Sequence, residues 1–210
     1  MVIEKTDYSL YLVTDRSILN GRDLYNCVEE SIKAGATALQ LREKNTDSRD
    51  FYLLALSLKE LTGRYNIPLI INDRLDIALA VNADGLHIGQ KDLPVEIVRR
   101  IFGTGKLLGC SVSNVEEARQ AEKAGADYLG AGPVYPTGSK SDAGPAIGPE
   151  GLREIISAVN IPVVGIGGID STNAREVKNC GAAGVAAISA ILGSDKIAAA
   201  TGQMLAGWRA

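Results

Sequence analysis

Apolar and polar positions along this chain alternate in a long, regular rhythm. Eight short apolar runs recur: SLYLVTD from Ser9, ALQLREK from Ala38, PLIIND from Pro68, GLHIGQKD from Gly85, KLLGCSVSN from Lys106, YLGAGPVYPTGSK from Tyr128, PVVGIGGID from Pro162 and GVAAIS from Gly184. Most of them run out into polar or glycine-rich tails. The stretches between them carry a helical period instead. Leu24, Val28 and Ile32 are spaced four apart, and Leu54, Leu58 and Leu61 form a second stripe within Phe51 to Leu61. Apolar residues at that spacing line one face of a helix. Near-continuous runs such as Leu69-Ile70-Ile71 fit strands covered on both faces. Strand–helix alternation repeated eight times predicts the α/β class and a single-domain (β/α)8 TIM barrel, with its chemistry where the strands end.

A quasi-repeat supports closure. Small-residue turns lead from helix to strand at Lys33-Ala34-Gly35-Ala36, Val81-Asn82-Ala83-Asp84, Lys123-Ala124-Gly125-Ala126-Asp127 and Asn179-Cys180-Gly181-Ala182. Each holds the glycine or asparagine that ends a helix in the left-handed conformation. Asn66-Ile67-Pro68 and Asn160-Ile161-Pro162 stop two further helices with proline. Asn114 is placed as an N-cap, with Glu116 and Glu117 in the first turn. An open doubly wound sheet is the competing fold. It is disfavoured by eight units of similar length and by Val13-Thr14-Asp15-Arg16, which puts no glycine fingerprint after the first strand.

Bulk properties narrow the class. The 210 residues are expected to form one domain, 1–210, slightly short for a fold that usually takes about 250 residues. Loops must therefore be short, and the long Gly/Pro/Ser/Thr-rich stretch from Pro133 to Pro149 reads as functional. A net charge of −3 and only 5% aromatic residues give no footprint for nucleic acid. No apolar stretch approaches the roughly 20 residues that span a bilayer, and Met1 to Asp7 lacks an apolar signal core. Cys27, Cys110 and Cys180 fit neither a zinc site nor a redox pair, so they are expected as small buried residues in a reducing cytoplasm.

The chemistry-bearing residues gather at strand ends. In Gln40-Leu41-Arg42-Glu43-Lys44, alternation puts Gln40, Arg42 and Lys44 on one face and turns Leu39 and Leu41 toward the helices. Two cations facing a barrel mouth call for an anionic ligand, or else for an internal salt bridge to Asp73 or Asp92. Asp73, after the third strand, and Asp92, after the fourth, can share a magnesium ion, which takes one or two carboxylates and fills its shell with water and phosphate oxygens. Their alternative role is to cap the helices beginning near Arg74 and Leu93. Gly165-Ile166-Gly167-Gly168 and Ala187-Ile188-Ser189 follow the last two strands, where barrel enzymes often bind phosphate. His87, the only histidine, alternates with Leu86 and Ile88 and is expected as a hydrogen-bonded interior residue. Ser111 has no histidine near it in sequence, so a hydrogen-bonding role is expected rather than a nucleophilic one. The inventory is rich in charge stabilisers and poor in acid–base groups, which suits a reaction driven by departure of a phosphorylated leaving group.

Taken in order, Gln40–Lys44, Asn72-Asp73, Asp84–Asp92, Pro133–Lys140 and Gly165–Ile169 resemble the thiamine-phosphate synthase family, over about Tyr11 to Ile191. The resemblance implies a (β/α)8 barrel that joins a pyrimidine diphosphate to a thiazole phosphate, usually in its carboxylated form. The product is thiamine monophosphate, formed by loss of diphosphate and capture of a pyrimidine-methyl cation. Matching positions assign Gln40, Leu41, Arg42, Glu43, Lys44 and Asn72 to the pyrimidine diphosphate, together with Ser111 and Lys140. Asp73 and Asp92 would bind Mg2+. Thr137, Gly138 and Ser139 would meet the thiazole phosphate, with Gly168, Ile188 and Ser189 at its phosphate end. Arg42, Lys44, Ser111 and Lys140 would be the catalytic set, and a cytoplasmic homodimer is the family-level expectation. One departure stands out: the family loop commonly reads Thr-x-Thr-Lys, and here it reads Thr137-Gly138-Ser139-Lys140. Serine keeps the hydroxyl, while glycine loosens the loop. Rival readings are a thiazole tautomerase on a related barrel, a phosphate-sugar isomerase and a non-catalytic sensor. The first would not need the cations and the acidic pair together, and the second would need a base for which His87 is thin support.

Overall fold

Each of the eight apolar runs becomes a strand: β1 Leu10–Val13, β2 Ala38–Leu41, β3 Leu69–Asn72, β4 Gly85–Ile88, β5 Leu107–Val112, β6 Tyr128–Ala131, β7 Val163–Ile166 and β8 Gly184–Ala187. The computed structural model describes residues 6–138 and 144–210. All neighbouring strands pair in parallel, and β1 pairs with both β2 and β8, closing the barrel. The open-sheet alternative is thereby removed.

Around the barrel run α1 Leu24–Lys33, α2 Ser48–Arg64, α3 Leu75–Ala80, α4 Val95–Phe102, α5 Val115–Lys123, α6 Gly148–Ser157, α7 Ala174–Asn179, the single turn α8 Ser189–Leu192, and α9 Ile197–Arg209. The α1 boundaries match the apolar stripe, and Asp23 caps its start by accepting from Asn26 N–H at 2.9 Å. α2 is longer at both ends than its stripe, because Asp47 caps it by accepting from Asp50 N–H. Asn114 caps α5 as expected, and the Glu117 carboxylate returns the bond to Ser113 N–H at 2.7 Å. The small-residue turns behave as read, with positive φ at Gly35, Asn82, Gly125 and Gly181. Among the described residues no helix is long and apolar enough to cross a membrane.

Side-chain alternation splits the core in two. Leu39, Leu41, Leu69 and Ile71 pack outward under Phe51, Leu58 and their neighbours. Tyr11, Ala38, Ile70, Tyr128 and Val164 fill the barrel interior. α9 packs on α1, α7 and α8 and buries Met204, Leu205 and Trp208. At the strand entrances two aspartates play matching parts. Asp84 accepts from Leu69 N–H at 2.8 Å and from Lys59, while Asp127 accepts from Leu108 N–H at 2.7 Å and pairs with Arg99. This end is tied together by structure, which leaves the opposite end for chemistry.

The connection from β6 to α6 is the one long excursion. α6 begins at Gly148, so Pro149 lies inside its first turn, where a missing N–H costs nothing. The stem of the loop is strapped to the β7 exit: Val134 N–H donates to Ile166 O at 2.9 Å, and Tyr135 N–H donates to Gly167 O at 3.0 Å.

Candidate active site

A cleft of about 990 Å³ opens where the strands end, and the residues singled out above converge on it. Arg42, Lys44, Asn72, Asp73 and Asp92 line one side; Thr137, Gly138, Gly168, Ile188 and Ser189 line the other, with Ser111 also on its wall. Ser139 and Lys140 lie outside the described residues.

Both cations have carboxylate partners. Arg42 pairs with Asp15 at 3.2 Å, and Lys44 with Asp73 at 3.1 Å. The salt-bridge alternative is thus present, yet both cations still face the cleft. Although β2 ends at Leu41, Arg42 stays in register with β1. Its N–H donates to Thr14 Oγ1 at 2.9 Å, extending the pairing by a side chain.

Asp73 sits at φ +64°, in the left-handed region, at the centre of a three-residue turn closed by Arg74 N–H to Asn72 O at 2.8 Å. Its own N–H is held by His87 O at 2.8 Å. Asp92 accepts from Gly89 N–H at 2.7 Å. Burial pushes its carboxyl above the ordinary range, and the charge of Asp73 adds to that rise. Neither aspartate caps a helix: α3 and α4 follow Arg74 and Pro94, and neither has a side-chain cap. Two carboxylates that repel each other, with hard oxygen donors and an open cleft beside them, fit a magnesium site completed by water and substrate oxygens. Among the described residues no third His, Cys, Asp or Glu joins them.

Across the cleft, Gly167 and Gly168 adopt φ of +96° and +65°. A Cβ at Gly168 would lie 2.7 Å from Pro136 O, so only glycine lets the β7 exit meet the long loop this closely. α8 begins at Ser189 directly after β8. The β7 loop, the β8 loop and the start of a short helix together form the arrangement with which barrel enzymes hold phosphate.

Of the assigned residues, Leu41, Glu43 and Gln40 do not present their side chains at the cleft. Leu41 is fully buried against the helices, as strand alternation predicts, so its side chain does not reach the cleft. Glu43 turns away as well: its carboxylate accepts from Arg16 at 3.1 Å and from Thr46 at 2.8 Å, latching two loops together. Gln40 points inward as alternation requires, but beneath the cleft, where it lines a small void and donates to Tyr11 Oη. Ser111, expected without a histidine, has one: His87 Nε2 lies 2.9 Å from its Oγ. The strand register makes the contact, setting His87 opposite Gly109 two residues below Ser111. His87 Nδ1 meets the Tyr128 hydroxyl at 3.0 Å.

Sequence reasoning missed Asp15 and Gln90. Asp15 follows the first strand directly, a position that alone could have marked it. Gln90 sits within the Gly89–Asp92 stretch, lines the cleft and donates to Ser111 O at 2.7 Å.

Comparison with known proteins agrees with this geometry. The family model described as thiamine monophosphate synthase matches residues 10–191. A thiamine-phosphate synthase from Clostridium novyi is 55% identical over 195 residues, covering 93% of this chain and 96% of that protein. One from Desulfitobacterium hafniense is 54% identical over 203 residues, covering 97% and 98%. The solved structure of a thiamine phosphate pyrophosphorylase from Pyrococcus furiosus superposes with a TM-score of 0.89 at 42% identity, covering 97% of this chain and 96% of that one. Matched along nearly its whole length by sequence and by fold, the chain belongs to the thiamine monophosphate synthase family.

Proposed function

We propose that this chain, acting as one domain over 1–210, joins a pyrimidine diphosphate to a thiazole phosphate across the cleft. Thiamine monophosphate and diphosphate are the products. Arg42 and Lys44 face the diphosphate and stabilise the charge that builds on it as the carbon–oxygen bond breaks. Diphosphate departs with the bonding pair, leaving a cation on the pyrimidine methyl carbon, and the thiazole nitrogen lone pair captures it. Asn72 and Ser111 hold the pyrimidine side, with Gln40 beneath them; Leu41 and Glu43 offer only backbone. Gly168, Ile188 and Ser189 hold the thiazole phosphate, with Thr137 and Gly138 closing over it. Ser139 and Lys140 join these groups by their place in the family motif.

Asp73 and Asp92 would hold Mg2+, which supplies charge neutralisation at the diphosphate oxygens. The residues' own contribution is positioning: reactants fixed on opposite walls of one cleft need little further entropy to meet. The observation that carries this reading is the convergence of Arg42, Lys44, Asp73 and Asp92 at one rim, opposite the Gly167-Gly168 and Ser189 corner.

The purified chain, given both substrates, should form thiamine monophosphate with magnesium and lose that activity on chelation. Undiminished coupling after chelation would remove the metal, and isomerised thiazole without coupling would favour the tautomerase.

A further inference from the structure

Beneath the cleft, five inward-facing side chains form one unbroken line of hydrogen bonds. Gln40 Nε2 donates to Tyr11 Oη at 2.9 Å, Tyr11 and Tyr128 hydroxyls meet at 2.9 Å, Tyr128 Oη lies 3.0 Å from His87 Nδ1, and His87 Nε2 lies 2.9 Å from Ser111 Oγ. All five come from different strands, four of them are buried, and the line surfaces only at Ser111, on the cleft wall. A void of about 10 Å³ lies against Tyr11, Gln40, His87 and Ser111. It is room for about one water at most.

The fold makes space for this line. A Cβ on Gly109 would stand 2.1 Å from the Tyr128 ring, and one on Gly130 would stand 3.1 Å from His87 Cε1. Both glycines face the interior between the rings they admit. Burial pushes the Tyr11 and Tyr128 phenols well above their ordinary range, so they act as neutral hydroxyls.

A line of this composition has a direction. An amide nitrogen can only donate, so Tyr11 accepts from Gln40 and passes its own proton to Tyr128. Tyr128 donates in turn to His87 Nδ1. An imidazole that accepts at Nδ1 carries its proton on Nε2, facing Ser111 Oγ. Ser111, having accepted, turns its hydroxyl proton outward. The reverse polarity makes Tyr11 accept twice and gives its proton no acceptor among these five side chains, which is costly in a buried interior.

We propose that Tyr11, Tyr128 and His87 are positioning residues that fix the Ser111 hydroxyl as a hydrogen-bond donor toward an acceptor atom of the bound pyrimidine diphosphate. The proposal rests on the coupling reaction above and goes beyond it. It makes the barrel interior part of the reaction, although Tyr11 and Tyr128 do not line the main cleft.

A double-mutant cycle tests it. Tyr128→Phe keeps the ring and removes one link. In the otherwise unchanged enzyme it should lower kcat/KM for the pyrimidine diphosphate about tenfold, the worth of one lost hydrogen bond, and leave KM for the thiazole phosphate in place. In a Ser111→Ala background the same substitution should do nothing further, because the group it acts through is gone. A network that only supports the fold would cost the same in both backgrounds, and that result would overturn the proposal. Tyr11→Phe cuts the line one hydroxyl further from Ser111; it carries the same expectation and replaces Tyr128→Phe if that variant does not fold. An unsubstituted enzyme that does not couple the substrates overturns the underlying reading and the proposal with it. One that couples, with the two substitutions multiplying, overturns the proposal alone.

Discussion

Asp73 occupies a conformation that disfavours most side chains, and it does so at the point where a second carboxylate approaches. Left-handed backbone at φ +64° is tolerated by Asp and Asn far better than by branched residues. Strain of this kind persists where function demands it. The turn aims the carboxylate; the charge is what a cation would need. Asp73→Asn separates the two, since asparagine keeps the conformation and the shape while losing the charge. The expected outcome is a fold at least as stable as the parent, with the repulsion toward Asp92 removed, and a magnesium requirement for coupling raised about tenfold or more, the effect of losing one charged ligand. A magnesium titration of initial rates, beside a melting curve, checks both; an unaltered titration would take Asp73 out of the site. The cations and acids were legible in sequence because strand ends in an eightfold repeat announce where they point. Of their partners only Asp73, beside Lys44, was foreseen. The Arg42–Asp15 pair and the His87–Ser111 contact depend on which residues lie opposite each other across strands, and register is not written in either run alone.

The β7 exit, the stem of the long loop and the start of α7 behave as one unit. Two strand-like hydrogen bonds strap the loop stem to Ile166 and Gly167, Tyr135 donates to Glu176 on α7 at 2.7 Å, and Asn173 donates to Gly168 O at 2.9 Å. Gly168 is the pinch point, because anything larger meets both Tyr135 Cβ and Pro136 O at 2.7 Å. Gly168→Ala must therefore lift the loop off the β7 exit, and its left-handed φ adds strain. The substitution is expected to raise KM for the thiazole phosphate about tenfold or more, while leaving KM for the pyrimidine diphosphate within about twofold, a loss near the 1–3 kcal/mol of overpacking. Steady-state kinetics with each substrate varied in turn separates the two; equal effects on both would place the phosphate corner elsewhere. The strands and the first helix were readable to within a residue or two, because apolar runs and caps are local signals. The single turn α8 was not, since one turn after a strand has no period to detect.

The barrel interior and the layer beneath the helices cover groups that titrate only in alkali, and this gives the whole molecule a characteristic pH response. Burial pushes the Cys110 thiol from 9.0 up to about 11, raises Cys27 and Cys180, and drives Tyr8, Tyr11 and Tyr128 upward as well. Between the unfolded and folded values of such a group, the unfolded chain has released its proton and the folded chain keeps it. The unfolded state binds fewer protons there, so stability falls as pH rises. Below pH 9.0 the term is fully favourable; from 9.0 toward about 11 the Cys110 contribution is lost, and above 10.0 the phenols add to the decline. Lys106, held below its ordinary value by burial, acts in the opposite sense, as one group against several. Urea midpoints should therefore hold level up to about pH 9 and then drop, and the drop above pH 10 should be shallower in Tyr128→Phe. The same burial keeps the three thiols protonated and covered, so a thiol alkylating agent should label the native chain slowly at neutral pH and all three cysteines once it is unfolded. A midpoint that stays level from pH 9 to 11, or rapid labelling of Cys110 in the native state, would mean that the barrel opens to water far more readily than a closed ring of eight strands allows.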